Sequence, residues 1–275
     1  MSSLLRPVRN RSMKPPAIAA CIAGVVAIVA LSCRSPAEPA APASGAGARG
    51  EWANEPAGLV TLTDRVWTEL AGGLWKRRES SADRIVQDAT VTQAPAIALE
   101  YVYGAGFAGG RAPATHYYPL DHQHELFVGL QWKVSEPWQG HSSGVNKIQF
   151  AYTASADVAM VMYGQNGGPY DVRVLPQWPE HTGKWLTPNL KSAPIVPGGW
   201  HRLEWYLRYD SQYGAADGII RWWVDGALAG DYAQVRFPAD GGFIEYQLSP
   251  TWGGVGDVKT ETDYYRFHRS YLSGR

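Results

Sequence analysis

The sequence predicts an all-β, antiparallel β-sandwich, and three features predict it. Short runs rich in Val, Ile, Trp, Tyr and Phe are separated by Gly, Pro, Asn and Asp clusters at close spacing, the pattern of strands and turns. Two longer runs alternate. Leu126, Val128, Leu130, Trp132 and Val134 interleave with Phe127, Gly129, Gln131 and Lys133, as Leu203, Trp205, Leu207 and Tyr209 do with Arg202, Glu204, Tyr206 and Arg208. Successive strand side chains point to opposite faces, so the first set of each run is assigned to a core and the second to an exterior. Finally, Asp225-Gly226 separates Ile219 to Val224 from Ala227 to Tyr232, a hairpin signal because a two-residue turn needs positive φ, which Gly and Asp tolerate. No capped amphipathic pattern persists for the length of an ordinary helix. Two facing antiparallel sheets follow.

Taken in chain order, the first 33 residues read as an export signal. Arg6, Arg9, Arg11 and Lys14, with no acidic residue among them, precede the apolar run Ala17 to Leu31 (AIAACIAGVVAIVAL), which is short for a bilayer span of about 20 residues and suits a signal core of about 7 to 15. The run ends in Ala30-Leu31-Ser32-Cys33. From Arg34 to Glu55 the composition turns to Ala, Pro, Ser and Gly, a tether with little to bury. Residues 56–275 remain for one folded domain, a length that suits a single all-β core. The only cysteines are Cys21 and Cys33, so this domain has no thiol for disulfide, metal or nucleophile, and packing alone must stabilise it. Beyond Cys33 the chain carries 21 basic against 25 acidic residues. That balance lacks the field that holds nucleic acid, which is excluded as a partner.

Three stretches carry a resemblance. Gly199-Trp200-His201-Arg202-Leu203-Glu204-Trp205-Tyr206, then Asp217-Gly218-Ile219-Ile220-Arg221-Trp222-Trp223-Val224-Asp225-Gly226, and the closing Asp263-Tyr264-Tyr265-Arg266-Phe267-His268-Arg269-Ser270-Tyr271-Leu272-Ser273-Gly274 resemble the strand pair and last strand of concanavalin A-like jelly rolls, above all the polysaccharide lyase-like members. In that group an Asp is common at the place of His268. Ala30 to Cys33 resembles the bacterial lipobox, with Ala30 where Leu is usual; this implies a lipid on Cys33 and an exported protein anchored to the cell envelope. The jelly-roll likeness implies a sheet face able to hold an extended sugar chain, so the expected partner is a polysaccharide. Fold does not fix function, however, and lectins, hydrolases, lyases and inert modules share this architecture.

Candidate site residues follow from alternation. Gly144 to Tyr152 gives Ile148, Phe150 and Tyr152 to the core and turns Lys147 and Gln149 outward, with Gln131 and Lys133 from another strand. Arg202, Arg208 and Trp223 form a second outward set with Glu204, Tyr206 and Arg221. Arg, Lys and Gln can hydrogen-bond hydroxyls or a uronate carboxylate, and Trp offers a flat apolar face. The competing reading is that these are solvated side chains paired across strands. Trp138, Trp178, Trp185 and Trp252 lie near Pro or Gly and are candidates for a binding rim.

Catalytic schemes narrow. A retaining glycosidase of this kind needs E-x-D-x-x-E to place two carboxylates about 5 Å apart; Glu261 and Asp263 begin the pattern, but Arg266 fills the third place, which disfavours hydrolysis. A lyase needs a base and a group that neutralises the developing charge. His141, Asn146, Tyr163 and Tyr206 are its catalytic candidates, with Gln131, Lys147, Gln149, Arg202, Arg208 and Trp223 as substrate-binding residues. His122 and His124 with Asp121 or Glu125 could approach a metal, but a surface loop is the preferred reading and no metal site is assigned. No phosphate-binding glycine loop appears and no cofactor is expected, while a structural calcium stays open. Polysaccharide binding is the leading function; β-elimination of a uronate polymer and a structural envelope role are the alternatives.

Overall fold

The computed structural model describes residues 51–78, 82–181 and 183–275. The export signal, Cys33 and the tether as far as Gly50 lie outside the described residues. Among the described residues fifteen strands form: β1 (Val60–Val66), β2 (Lys76–Arg78), β3 (Asp83–Gln87), β4 (Ile97–Tyr103), β5 (Thr115–Gln123), β6 (Glu125–Val134), β7 (Val145–Tyr152), β8 (Asp157–Tyr163), β9 (Tyr170–Pro176), β10 (Pro194–Ile195), β11 (Trp200–Arg208), β12 (Gly218–Val224), β13 (Ala227–Val235), β14 (Phe243–Leu248) and β15 (Asp263–Gly274). One sheet has eight strands, ordered β13-β12-β11-β6-β15-β4-β3 with β1 on the far half of β15; the other has seven, ordered β10-β9-β8-β7-β14-β5-β2. Every pairing is antiparallel. This is the predicted sandwich.

The core half of the period-two assignment holds on β6 and β11, whereas Phe127, Lys133, Glu204 and Tyr206 of the alternate set, expected at an exterior, are buried on the outer face. Leu126, Val128, Leu130, Trp132 and Val134 pack with Leu203, Trp205, Leu207 and Tyr209 against Ile148, Met160, Met162, Val172, Val174, Tyr246 and Leu248 of the other sheet. The β12–β13 hairpin turns at Asp225 and Gly226, with φ of 51° and 81°. Here the sequence signal is structural twice over, because the Asp225 carboxylate also accepts from the Arg202 amide at 2.8 Å and the His201 imidazole at 2.8 Å.

Strand β7 departs from simple alternation. Its register with β8 shifts between Lys147 and Gln149, so an extra residue is accommodated as a bulge and the side-chain phase changes. Ile148 still enters the core. Gln149 follows it inward, fully buried, accepting from the Tyr246 hydroxyl at 2.5 Å and donating to the Met160 sulfur. Phe150 and Tyr152, expected inside, instead lie outside with Ala159 and Val161. Gln149 is therefore not an outward ligand-binding side chain.

Candidate functional site

The sequence-predicted site residues divide between two opposite faces. Gln131, Arg202, Tyr206, Arg208 and Trp223 lie on the eight-stranded sheet, whereas Lys147 and Tyr163 lie on the seven-stranded sheet. A single groove cannot collect both sets. The physical reason is long-range pairing: β6 and β11 are neighbours in one sheet, and β7 joins β14 and β8 in the other.

Part of the outer face of the eight-stranded sheet, over Gly129, Gln131, Glu204 and Tyr271, is occupied by the chain's own residues 51–55. Trp52 is buried and stacks on Tyr271 at 5.8 Å. Its ring fills the place above Gly129, where a Cβ would come within 2.4 Å. Glu51 accepts from Gln131 and Arg269, Asn54 donates to Glu204 at 2.7 Å, and Glu55 accepts from the Tyr271 hydroxyl at 2.9 Å. These five residues were expected to end the tether; they form a strap on the sheet instead. Beneath it, the buried Tyr206 hydroxyl donates to Glu125 at 2.6 Å, and burial with that carboxylate pushes the phenol pKa upward. Arg208 donates to the Asp217 carbonyl at 2.9 Å, and Trp223 packs on the small apolar cluster of Trp52, Phe127, Tyr206, Ile219 and Tyr271.

Two further catalytic candidates are buried at the end of the sandwich. The Asn146 carboxamide accepts from Trp138 Nε1 and the His141 amide, and donates toward the carbonyls of Gly144, Met162 and Gly164. His141 is likewise buried; its Nδ1 accepts from the Ser143 amide at 3.1 Å, and its ring meets Trp252 edge-on at 5.0 Å. Both hold loops together. Of the tryptophans expected at a rim, Trp138, Trp178 and Trp252 are core residues, and Trp185 alone stays half-buried, against Tyr163 at 5.4 Å. His122 is exposed near the end of β5 with φ of 44°, and His124 rests on Tyr209. Among the described residues no three His, Cys, Asp or Glu side chains gather as a metal site.

The outer face of the seven-stranded sheet has a different character. Cross-strand register sets Tyr117, Gln247, Phe150, Ala159 and Leu175 in one row, and Pro119, Glu245, Tyr152 and Asp157 in the next. Lys147, Val161 and Arg173 form a third row, with Val145, Tyr163 and Asp171 beyond. Phe150 and Tyr152 stack at 5.7 Å with 25° between their planes, an offset arrangement that aromatic pairs favour. The Arg173 guanidinium lies 3.7 Å over the Tyr163 ring and pairs with Asp171 at 2.9 Å. Lys147 reaches Gln177 at 3.4 Å, and Gln177 donates in turn to Asp157. All these polar contacts stay within the face, and Tyr117, Tyr152, Tyr163, Lys147, Asp157 and Arg173 remain half-buried.

Partial burial shapes the electrostatics of this face. It lowers the Lys147 amine pKa against the pull of Asp157, and it raises the Asp157 carboxyl despite the hydrogen bond from Gln177. Burial, helped by Asp157, pushes the Tyr152 phenol up to about 12. A neutral hydroxyl, a carboxamide, a poorly solvated amine and ring faces thus stand side by side. Sequence reasoning found Lys147, Tyr163 and Trp185 but missed Tyr152, Phe150, Asp157, Arg173 and Gln177. The alternation Asp171-Val172-Arg173-Val174-Leu175 was the available signal for the β9 members.

Comparison with known proteins supports the fold. No protein-family model matches the chain, and no curated protein matches it. Among solved structures, it is similar to the endo-β-1,4-glucuronan lyase of the fungus Trichoderma reesei, at 16% identity over 78% of this chain and 96% of that one, with a TM-score of 0.56. It is also similar to a mutant of alginate lyase Aly36B in complex with an alginate trisaccharide, at 13% identity over 65% of this chain and 82% of that one, with a TM-score of 0.52. The chain thus has the antiparallel β-sandwich, jelly-roll fold of these structures.

Proposed function

We propose that a polysaccharide chain binds along the outer face of the seven-stranded sheet, across β5, β14, β7, β8 and β9. One observation carries this reading: the outer face of the seven-stranded sheet sets Tyr117, Tyr152, Tyr163, Lys147, Asp157 and Arg173 half-buried in adjacent cross-strand rows, whereas the chain's own strap lies across part of the other face. Sugar rings present C–H faces that stack on Tyr and Phe and hydroxyls that pair with Gln, Lys and Arg, so such rows fit an extended glycan. The fold likeness to two lyases of acidic polysaccharides is consistent with it. Affinity electrophoresis in gels containing alginate, glucuronan or a neutral glucan tests the reading. Tyr152→Ala and Lys147→Ala should weaken retention at least tenfold, and Arg208→Ala on the eight-stranded sheet should not; equal retention of all three would remove the site from this face.

A lyase reading has one specific observation in its favour. Burial lowers the Lys147 amine pKa, the direction that a base acting near neutral pH requires. Under this reading Lys147 removes the proton beside a uronate carboxylate, and the expelled chain end leaves an alkene whose ultraviolet absorbance grows with time. Lys147→Arg should abolish that absorbance while leaving gel retention in place. No absorbance with any uronate polymer would return the protein to binding alone.

The proposal extends to location. The basic stretch, the apolar run and Cys33 favour an exported form carrying lipid on that cysteine, with the domain at the cell envelope. Labelled palmitate should enter the protein in bacterial cells and fail to enter Cys33→Ala.

A further inference from the structure

On the outer face of the eight-stranded sheet, beside the strap, a cavity of about 210 Å³ opens between the β3–β4 loop, the start of β11 and the β12–β13 turn. Its walls include Thr92, Gln131, Trp200, Arg202, Asp225 and His268. It lies on the sheet opposite the proposed polysaccharide face.

His268 gives the cavity its chemistry. The residue sits where β15 shifts register against β6, between Phe267 and Arg269, and its ring is buried, with 1% of the residue exposed. Nδ1 bonds the Ile97 carbonyl at 2.8 Å. A carbonyl can only accept, so Nδ1 holds a proton, and the tautomer this bond selects carries its lone pair at Nε2. That nitrogen is buried without a partner. An acceptor left bare at this depth is costly unless a donor arrives to meet it.

The remaining walls restrict what the donor belongs to. Gln131 spends its Nε2 on Glu51 and Gln93, which leaves its carbonyl oxygen to accept. Trp200 is held by Nε1 donation to Thr90 at 3.0 Å and supplies an aromatic wall. Of the basic groups on the wall, Arg202 lies 3.3 Å from the Glu204 carboxylate and His201 is paired with Asp225 at 2.8 Å, so both are already matched by carboxylates and an anion gains little here. A metal ion lacks ligands, since no three suitable side chains gather among the described residues. What fits two acceptors, one donor and an indole in a space of this size is a small ring rich in hydroxyl groups.

We infer that this cavity is a second carbohydrate site, holding one neutral hexose-sized sugar whose hydroxyl donates to His268 Nε2. It is independent of the polysaccharide face, so one molecule holds a chain on one sheet and a single sugar on the other. The test is histidine nitrogen NMR on the whole chain, titrated separately with D-glucose, D-mannose and D-galactose. The His268 Nε2 resonance should move saturably with at least one sugar, should stay in place with glycerol or acetate, and should lose its response in Thr92→Trp, which fills the cavity from its exposed rim. Lys147→Ala, on the other sheet, should keep the response, which separates this site from the polysaccharide reading. The inference falls if no sugar moves the resonance, if glycerol, acetate or zinc moves it equally, or if Thr92→Trp responds as the parent does.

Discussion

At the scale of single residues, the polar groups nearest the chemistry suggested by sequence turn out to be structural, and Asn146 is the clearest case. A lyase scheme values its carboxamide as a charge neutraliser; the fold uses every hydrogen-bonding position of it to tie the β6–β7 loop to β8. The distinction is measurable through an isosteric change. Asn146→Asp turns a donor facing three carbonyls into a carboxylate that meets them with like charge, and a buried uncompensated charge costs on the order of 3 kcal/mol or more. Urea denaturation of Asn146→Asp should therefore show a large drop in midpoint. Unchanged stability with altered polysaccharide handling would reinstate a functional role. Lys259 tells a parallel story: buried within 3.6 Å of the Trp138 ring and 2.5 Å from Asp263, its amine is pushed down to about 8 by burial against the pull of Asp263, and Asp263 thereby belongs to an ion pair rather than to a glycosidase pattern.

At the scale of elements, the legible and illegible parts of the fold separate by the range of the interactions that set them. Strands β6 and β11 were readable because alternation is local and neither carries a bulge in its mutual pairing, and the β12–β13 turn was readable because positive φ selects Asp and Gly. Strand β7 was misread beyond Ile148, since the same letters fit an unbroken strand and a bulged one. The strap was invisible for another reason: Trp52 stands in a stretch whose composition announces a tether, and only Gly129, far along the chain, reveals its seat. The strap should be weighed by two substitutions. Trp52→Ala removes a buried indole, a change that costs about 3 to 5 kcal/mol at core sites, and residues 51–55 should become open to proteolysis. Gly129→Ala should release the strap by the opposite route, placing a methyl where the ring lies. A protease-resistant segment in Gly129→Ala would show that the seat is not the one described.

At the scale of the whole molecule, what sequence could not supply was the allocation of strands to sheets, and this allocation decides which polar residues meet. Period two says that a side chain faces outward without saying from which sheet, so Arg202 and Lys147 looked like partners until pairing set them on opposite sides. The same allocation builds a polar clasp across the sandwich. Arg77 of β2 and Asp83 of β3 belong to different sheets and pair at 2.6 Å, and Tyr101 of β4 meets His116 of β5 at 2.6 Å. His116 is wholly buried, and burial, opposed by Asp83, lowers its pKa to about 4. This fixes the sign of an acid sensitivity. In the unfolded chain the imidazole takes a proton below about 6.5, whereas the folded ring stays neutral down to about 4, so the unfolded state binds the extra proton throughout that window and stability falls as pH falls through it. The loss from this one group approaches 3 kcal/mol in order of magnitude. Urea midpoints measured at several pH values between 4 and 6.5 should descend toward acid in the parent, and His116→Gln, less stable at neutral pH, should descend markedly less. A variant that keeps the full parental slope would shift the origin of the acid sensitivity away from the clasp and onto the surface carboxylates.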